Sequence, residues 1–350
     1  MTTNGIRVSK CRPALFHGAK TLAVTLALSG VASATAHAEE AIPAVAATAT
    51  PPTPVAASAP PPPPYSLPWQ LRPVTVGTVL RSDTTTALFE NAAGETGTTI
   101  ASMLLGSYKV TPEFAPMVRL GFVNNDNPGA AGVDGSSFVN PIVGATYARK
   151  FSSFKWAAFG ATTIPIGMGA GNTPNKNAAA ANASGIPARS GMDNAMFAVN
   201  YMTPIVGGDL AYVNHKFTAQ LEATALFLFR VRGDAAASAT DSSRVNSTFG
   251  LHLGYFIIPQ LSVGGELRYQ RWLTTPTTKN AAGAVVNIPD VNKDTLTLAI
   301  GPRANFKLTN TMWIRPGISY SRGLDEPLSK STMARNGNYN MIQVDVPVIF

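Results

Sequence analysis

The last ten residues of the chain alternate in character. Ile342, Val344, Val346, Val348 and Phe350 fall on one side of an extended segment, and Gln343 and Asp345 fall on the other. Successive side chains of a strand point to opposite faces, so such a segment has one oily and one polar side. The pattern recurs upstream. Leu296, Leu298 and Ile300 oppose Thr295, Thr297 and Arg303; Leu261, Val263, Leu267 and Tyr269 oppose Ser262, Glu266, Arg268 and Gln270; Phe217, Leu221, Phe227 and Phe229 oppose Thr218, Gln220, Glu222 and Arg230. Twelve such stretches are read: 74–89, 98–110, 114–124, 137–150, 154–167, 203–213, 216–231, 244–257, 260–273, 292–307, 310–322 and 339–350.

The connections between them also alternate. Val110 to Glu113, Phe151 to Ser153, Asn214-His215, Ile258-Pro259 and Leu308-Thr309 are short, while the links near 90–97, 125–136, 168–202, 232–243, 274–291 and 323–338 are long and rich in small and polar residues. A soluble two-sheet β-sandwich, the competing fold, has no reason to keep its long loops at one end. A barrel of the outer membrane does, with short periplasmic turns and long extracellular loops. No segment after the first 38 residues has 18 consecutive apolar residues, so no helix is expected to span a bilayer. In lipid every backbone amide must be satisfied within the protein, which leaves closed sheets. The expectation for residues 74–350 is therefore an all-β, closed antiparallel transmembrane β-barrel of about 12 strands. An even strand count places both termini on the periplasmic side. Tyr108, Phe114, Tyr147, Trp156, Phe217 and Tyr255 lie near the short turns, and Phe122, Phe229, Tyr269 and Tyr320 near the long loops, as interfacial girdles require.

Two segments precede the barrel. In residues 1–38, Arg7, Lys10, Arg12 and Lys20 precede the apolar stretch Thr21 to Ala32, and Ala36-His37-Ala38 offers a cleavage site before Glu39. This reads as a secretory signal peptide cleaved after Ala38. Residues 39–73 carry Pro51, Pro52, Pro54 and the run Pro60 to Pro64, and read as a disordered periplasmic spacer. Removing the signal lowers the net charge from +8 to +4 and takes the single cysteine, Cys11, with it. No disulfide framework or cysteine-rich metal site is expected, and the mild charge gives no reason to bind nucleic acid. Charged residues make up 13% of the chain, against roughly 25% in soluble domains, which suits a lipid-facing surface.

The stretches Asn140-Pro141-Ile142-Val143-Gly144-Ala145-Thr146-Tyr147 and Phe159-Gly160-Ala161-Thr162-Thr163-Ile164-Pro165-Ile166-Gly167 resemble outer-membrane proteins linked to the meta-pathway of phenol degradation. These are similar in plan to fatty-acid and aromatic-hydrocarbon transporters of the outer membrane. Ile258 to Glu266 and Arg268-Tyr269 fit the same plan. The resemblance implies uptake of small, often apolar compounds and no catalytic residues. The terminal Phe350 resembles the C-terminal signature that the barrel-assembly machinery reads.

Strand parity places Arg81, Asp83, Arg119, Glu222, Arg230, Glu266, Arg268, Arg303, Arg315 and Asp345 in the lumen. Two readings stand side by side: a charged constriction that selects solutes, or an ion-pair network filling a narrow barrel. Arg315 with Asp345, and Glu266 with Arg303, are placed to pair. Twelve strands about 4.8 Å apart, tilted about 40°, give a backbone radius of roughly 12 Å, which long side chains nearly close. Residues 189–202 are ambiguous. Met192, Met196 and Val199 recur at helical spacing, which suits an inserted loop; Ala195, Phe197, Val199 and Tyr201 suit an early start to the sixth strand. The Ala/Asn-rich run 175–184 reads as a mobile extracellular loop.

An enzyme is not expected. His215 falls in a short turn, and His252 falls on the lumen face between Gly250 and Gly254, with no evident partner. No phosphate loop, zinc spacing or dinucleotide fingerprint occurs, so no cofactor or metal is expected. The functional expectation is an outer-membrane channel for small molecules, with lipid, the assembly machinery and a solute as partners. The alternative is a structural or adhesive barrel acting through its loops.

Overall fold

Residues 65–90, 94–128, 132–189, 192–234, 241–280, 283–288, 293–323 and 340–350 are described by the computed structural model. The expected signal peptide, and the expected spacer up to residue 64, lie outside them. All twelve expected strands are present: β1 (Val79–Glu90), β2 (Thr96–Ser107), β3 (Phe114–Asp126), β4 (Ile142–Phe151), β5 (Phe154–Thr163), β6 (Pro204–Asn214), β7 (Phe217–Arg230), β8 (Ser243–Ile258), β9 (Leu261–Trp272), β10 (Asp294–Ala304), β11 (Gly317–Gly323) and β12 (Asn340–Ile349). Each pairs antiparallel with its neighbours, and β12 pairs back onto β1 from Val79↔Ile349 to Leu88↔Asn340. The sheet is closed, and the sandwich alternative falls.

The alternation sets the faces as expected. In β10 Leu298 is 52% exposed and the adjacent Thr297 1%; in β12 Val344 is 48% exposed and Gln343 1%. The exposed set is a belt of Leu, Ile, Val and Phe running round the barrel, flanked by exposed aromatics such as Tyr108, Trp156 and Phe122. A closed hydrogen-bonded wall with an apolar exterior is the surface of a protein that spans a bilayer. Near the short turns the rings also pack on one another: Tyr147 and Trp156 have centroids 5.7 Å apart, and Phe154 and Tyr212 5.2 Å.

Several expected boundaries move, each at a proline or a polar side chain. The first strand begins at Val79 and not at residue 74, because 74–78 belongs to a segment inside the barrel. The stretch 137–150 is broken: a short strand, Gly135–Phe138, pairs with β3, then Asn140-Pro141 leaves the ladder, where Pro141 has no N–H to give. The strand expected over 154–167 ends at Thr163. The one expected over 292–307 stops at Ala304, followed by a two-residue strand at Phe306–Lys307 that pairs with Trp313–Ile314. The strand expected from 310 resumes only at Gly317, after Pro316.

The run 175–184, expected to be a mobile loop, is helical. Helix α1 (Lys176–Ala188) is capped by Asn175, whose side chain accepts the Ala178 N–H at 3.1 Å. A single turn, α2 (Asn194–Phe197), follows. Of the two readings for 189–202, the inserted loop prevails; only Tyr201–Met202 pairs with β7 before β6 begins.

Candidate functional site

The lumen is filled from both ends by the chain itself. From the end of the short turns comes a strap, residues 65–78, most of which the sequence assigned to a disordered spacer. Residues 65–71 and Val74 are buried, with Ser66, Trp69, Leu71 and Val74 between 1 and 3% exposed, and Arg72 and Pro73 are half-buried. The reason is that the strap's backbone is matched, group by group, to charged side chains on the wall. The amides of Trp69 and Gln70 donate to the two oxygens of Glu266 at 2.6 and 2.8 Å. The amide of Arg72 donates to Glu222 at 2.6 Å. The carbonyls of Tyr65, Leu67 and Trp69 accept from Arg315, Arg303 and Arg81 at 2.7, 3.2 and 2.9 Å. Charge-assisted bonds of this kind are roughly twice as strong as neutral ones. The strap rises to about Gln70–Arg72 and returns. The Tyr65 hydroxyl ties its limbs by accepting the Val74 N–H while donating to Gln220. Trp69 lies under Arg303, 5.4 Å from its ring centroid, and edge-on to His252.

The wall makes room for the strap with glycine. A Cβ at Gly254 would come within 2.1 Å of the Ser66 hydroxyl, and one at Gly250 within 2.8 Å of Leu71. These same glycines flank His252, which does have partners. Its Nδ1 lies 3.0 Å from Glu266 and its Nε2 3.2 Å from the Ser66 hydroxyl. The Ser–His–carboxylate order looks like a hydrolytic triad. However, the His252 and Glu266 side chains are fully buried, and Ser66 is 2% exposed. No substrate carbonyl fits against the hydroxyl, and both Glu266 oxygens are already engaged by strap amides. The geometry is that of a fastener.

From the long-loop end comes residues 164–202. Here the lumen face of the wall turns apolar. Along β7 the inward residues run Thr218, Gln220, Glu222 and Thr224, then Leu226 and Leu228. Met196 and Phe197 of α2 pack on Met103, Val123, Ile205 and Leu228. Asn140 clips the loop to the wall. Its side-chain NH2 donates to the carbonyls of Ala198 and Tyr201, and its oxygen accepts the Gly167 N–H at 2.9 Å. One fully buried cation, Arg189, closes the seat. It holds Asp83 bidentately at 2.8 and 2.7 Å and Asp193 at 2.9 Å. Arg119 reaches the same two carboxylates at 3.0 Å (Asp193) and 3.5 Å (Asp83). Burial alone would raise the Asp193 carboxyl, but Arg119 and Arg189 outweigh it and hold it below the ordinary carboxylate range.

The ten lumen candidates therefore divide. Arg81, Asp83, Glu222, Glu266, Arg268, Arg303 and Asp345 are buried on the inner face; Arg119, Arg230 and Arg315 are half-buried. The expected pairs do not form. Asp345 is held by Arg81 at 2.7 Å and by Arg303, while Arg315 turns to Asn305 and the strap. Glu266 is taken by the strap and His252 rather than by Arg303. Arg230 stands apart at the long-loop rim, donating to the Asp241 carbonyl and the Tyr201 hydroxyl. Phe350 is exposed, and its amide donates to the Thr78 carbonyl at 3.0 Å. Sequence reading missed Tyr65, Ser66, Trp69, Arg72, Arg189 and Asp193. Only the paired glycines around His252 and the methionine spacing of 192–199 pointed toward them.

Among the described residues, two cavities lie between the plugs and the wall. One, narrow at about 40 Å³, lies where strap and loop approach each other and is lined by Trp69, Gln70, Asp83, Arg119, Arg189 and Arg268 among others. The second, about 140 Å³, runs beside the strap along β1 to β5, between Val76, Ala115, Met117, Ile142 and Phe159. They share Arg72, Pro73, Arg81, Leu105 and Arg119, so they adjoin along those side chains.

No protein-family model matches the chain, and no curated protein sequence matches it. Solved structures with a similar outline include the COG4313 outer membrane channel from Pseudomonas putida F1, with a TM-score of 0.49, 14% identity, and 81% of this chain and 98% of that one covered. The NanC porin gives 0.45 and 10%, over 77% and 98%. The transport unit of the autotransporter AIDA-I from Escherichia coli gives 0.42 and 10%, over 78% and 90%. Likeness at this level concerns barrel outline and assigns no activity.

Proposed function

We propose that the chain is an outer-membrane channel of a Gram-negative bacterium that passes small molecules by diffusion through a charged, narrowed lumen. The observation that carries this reading is the pair of adjoining cavities that the two plugs leave inside the wall. A barrel meant only as a wall could be packed solid. The lining mixes guanidinium groups with Met117, Ile142 and Phe159, which suits small solutes with an apolar part. The resemblance to the family linked to the meta-pathway of phenol degradation supports the same solute range. In this reading the signal peptide is removed after Ala38, the termini and short turns face the periplasm, and the assembly machinery engages the last strand with Phe350. Arg81, Asp83, Arg119, Glu222, Glu266, Arg268, Arg303, Arg315 and Asp345 set the constriction and anchor its plugs; Arg230 lines the outer rim.

Conductance of the purified mature protein in planar bilayers tests the proposal. Small, resolved current steps are expected. Their absence at all voltages would favour the second reading, a permanently plugged barrel that acts through its outer loops. The dense fastening of the strap speaks for that alternative.

A further inference from the structure

The cavity between the plugs is electrically unbalanced. Five guanidinium groups line it, from Arg72, Arg81, Arg119, Arg189 and Arg268, against two carboxylates, Asp83 and Glu222. Four of the five are spoken for: Arg72 by Glu222, Arg81 by Asp345, and Arg119 and Arg189 by Asp83 and Asp193. Arg268 is not. It is 6% exposed, and no carboxylate among the described residues lies within salt-bridge distance of it. Its one hydrogen bond among the described residues is a long 3.4 Å one to the Met192 carbonyl, its Nε has no partner, and the carboxylates that act on it from further off, Glu222 and Asp193, are already held by other arginines. A buried cation without a counter-charge is costly to keep. Around it the unmatched groups are mostly donors. The Gln70 amide nitrogen and the Arg119 Nε are both buried without acceptors, and both residues face the same cavity.

We infer that this cavity is a binding site for a small organic monocarboxylate. One spare positive charge calls for one negative charge. A guanidinium fork presents two parallel N–H groups, which match a carboxylate. The remaining wall, Leu71, Met103 and Leu105, adjoins the larger cavity along Leu105, and the lining there holds no carboxylate and is largely apolar. That space takes the body of an aromatic or short aliphatic acid, while Arg268 and Gln70 take its head. The inference rests on the channel reading and names its solute class.

The test uses the full mature protein in detergent, with its folded state scored by heat-modifiable mobility, and benzoate as the probe. Calorimetry should show benzoate binding, with benzyl alcohol, the neutral isostere, weaker by about tenfold or more because it leaves the buried cation unpaired. Arg268→Gln should lower benzoate affinity by a similar factor, and Arg268→Lys should keep part of it. Should Arg268→Gln fail to fold, Gln70→Ala serves in its place. It removes only a side chain without partners, leaves the amide bond to Glu266 intact, and should weaken benzoate at least several-fold. Equal affinities for benzoate and benzyl alcohol, or unchanged benzoate affinity in these variants, would overturn the site. So would tight binding of inorganic phosphate with none of benzoate. Bilayer recordings separate the two claims: a conducting protein that ignores benzoate keeps the channel and loses the site, whereas benzoate binding without conductance keeps the site and loses the channel.

Discussion

The strap and the inserted loop fill the same lumen by opposite means. The strap is held chiefly through its backbone: wall carboxylates take its amides and wall arginines take its carbonyls, with Tyr65, Ser66 and Arg72 adding side-chain bonds. The loop is held chiefly through side chains, with Met196 and Phe197 in an apolar seat and one buried arginine over two aspartates. Backbone-held contacts constrain little about which residues the strap carries and are exchangeable for water one at a time. An apolar seat is lost only as a unit. In the proposed channel the strap would be the element suited to yield to a solute, and the loop the fixed part of the constriction.

Deleting residues 65–73 should have the largest effect. The ladder from β1 to β12 does not use them, so the barrel should still form, and single-channel conductance should rise several-fold. Unchanged conductance would mean that the loop alone sets the pore and would collapse the contrast. Next in size is Arg189→Ala, which leaves Asp83 and Asp193 buried without their main partner. A cost of about 3–5 kcal/mol is expected for the loop's seating, read as protease cleavage within 168–202 while the folded-barrel mobility is kept. Full protection in that variant would show that the apolar seat suffices. Acid sharpens the same point. Because the Asp193 carboxyl sits below its unfolded value of about 3.9, its contribution is complete above that value and fades only as pH falls through the lower folded one. Loop protection should therefore be equal at pH 7 and about pH 5; loss by pH 5 would contradict the pairing. The smallest effect belongs to Ser66→Ala, which removes one side-chain bond from His252 and should cost about 0.5–1.5 kcal/mol of strap docking. It is measurable as a modest increase in open probability. A conductance as large as that of the deletion would make Ser66 the master latch, against the distributed fastening described above.

What could be read in advance divides along the same line. The wall was legible because period two is enforced twice on every strand, by lipid outside and by polar company inside. Strand ends were lost where the strap joins β1, after Thr163, and where Asn140-Pro141, Asn305 or Pro316 interrupt the ladder, since a proline in a barrel strand has the same sequence signature whether it is tolerated or breaks the edge. The loop was half visible. Met192, Met196 and Val199 recur at the spacing of a helix face. The strap was invisible. Tyr65 to Arg72 has no periodicity, and its bonds are made by main-chain groups every residue possesses. The only trace lay in its receptor: Gly250 and Gly254 on an inner face, spaces cut for something that had to come from elsewhere. The paired charges failed for a related reason. Counting heights along strands compares wall with wall, and Glu266 and Arg315 turned out to be committed to a third body.

The barrel's seam joins the beginning of the chain to its end, with Val79 opposite Ile349. Until those edges meet there is no enclosed interior, and once they have met a threaded segment has no sideways route in. The strap immediately precedes β1, and its Trp69 carbonyl accepts from Arg81 on β1 and from Gln343 on β12, one on each side of that seam. The only way in is then end-on, from the mouth by which the strap enters and leaves. Seated there, one carbonyl of the strap is gripped from both edges at once, so the segment bridges the place where the two ends of the wall meet. In this light the strap is a clasp laid across the join of a hoop.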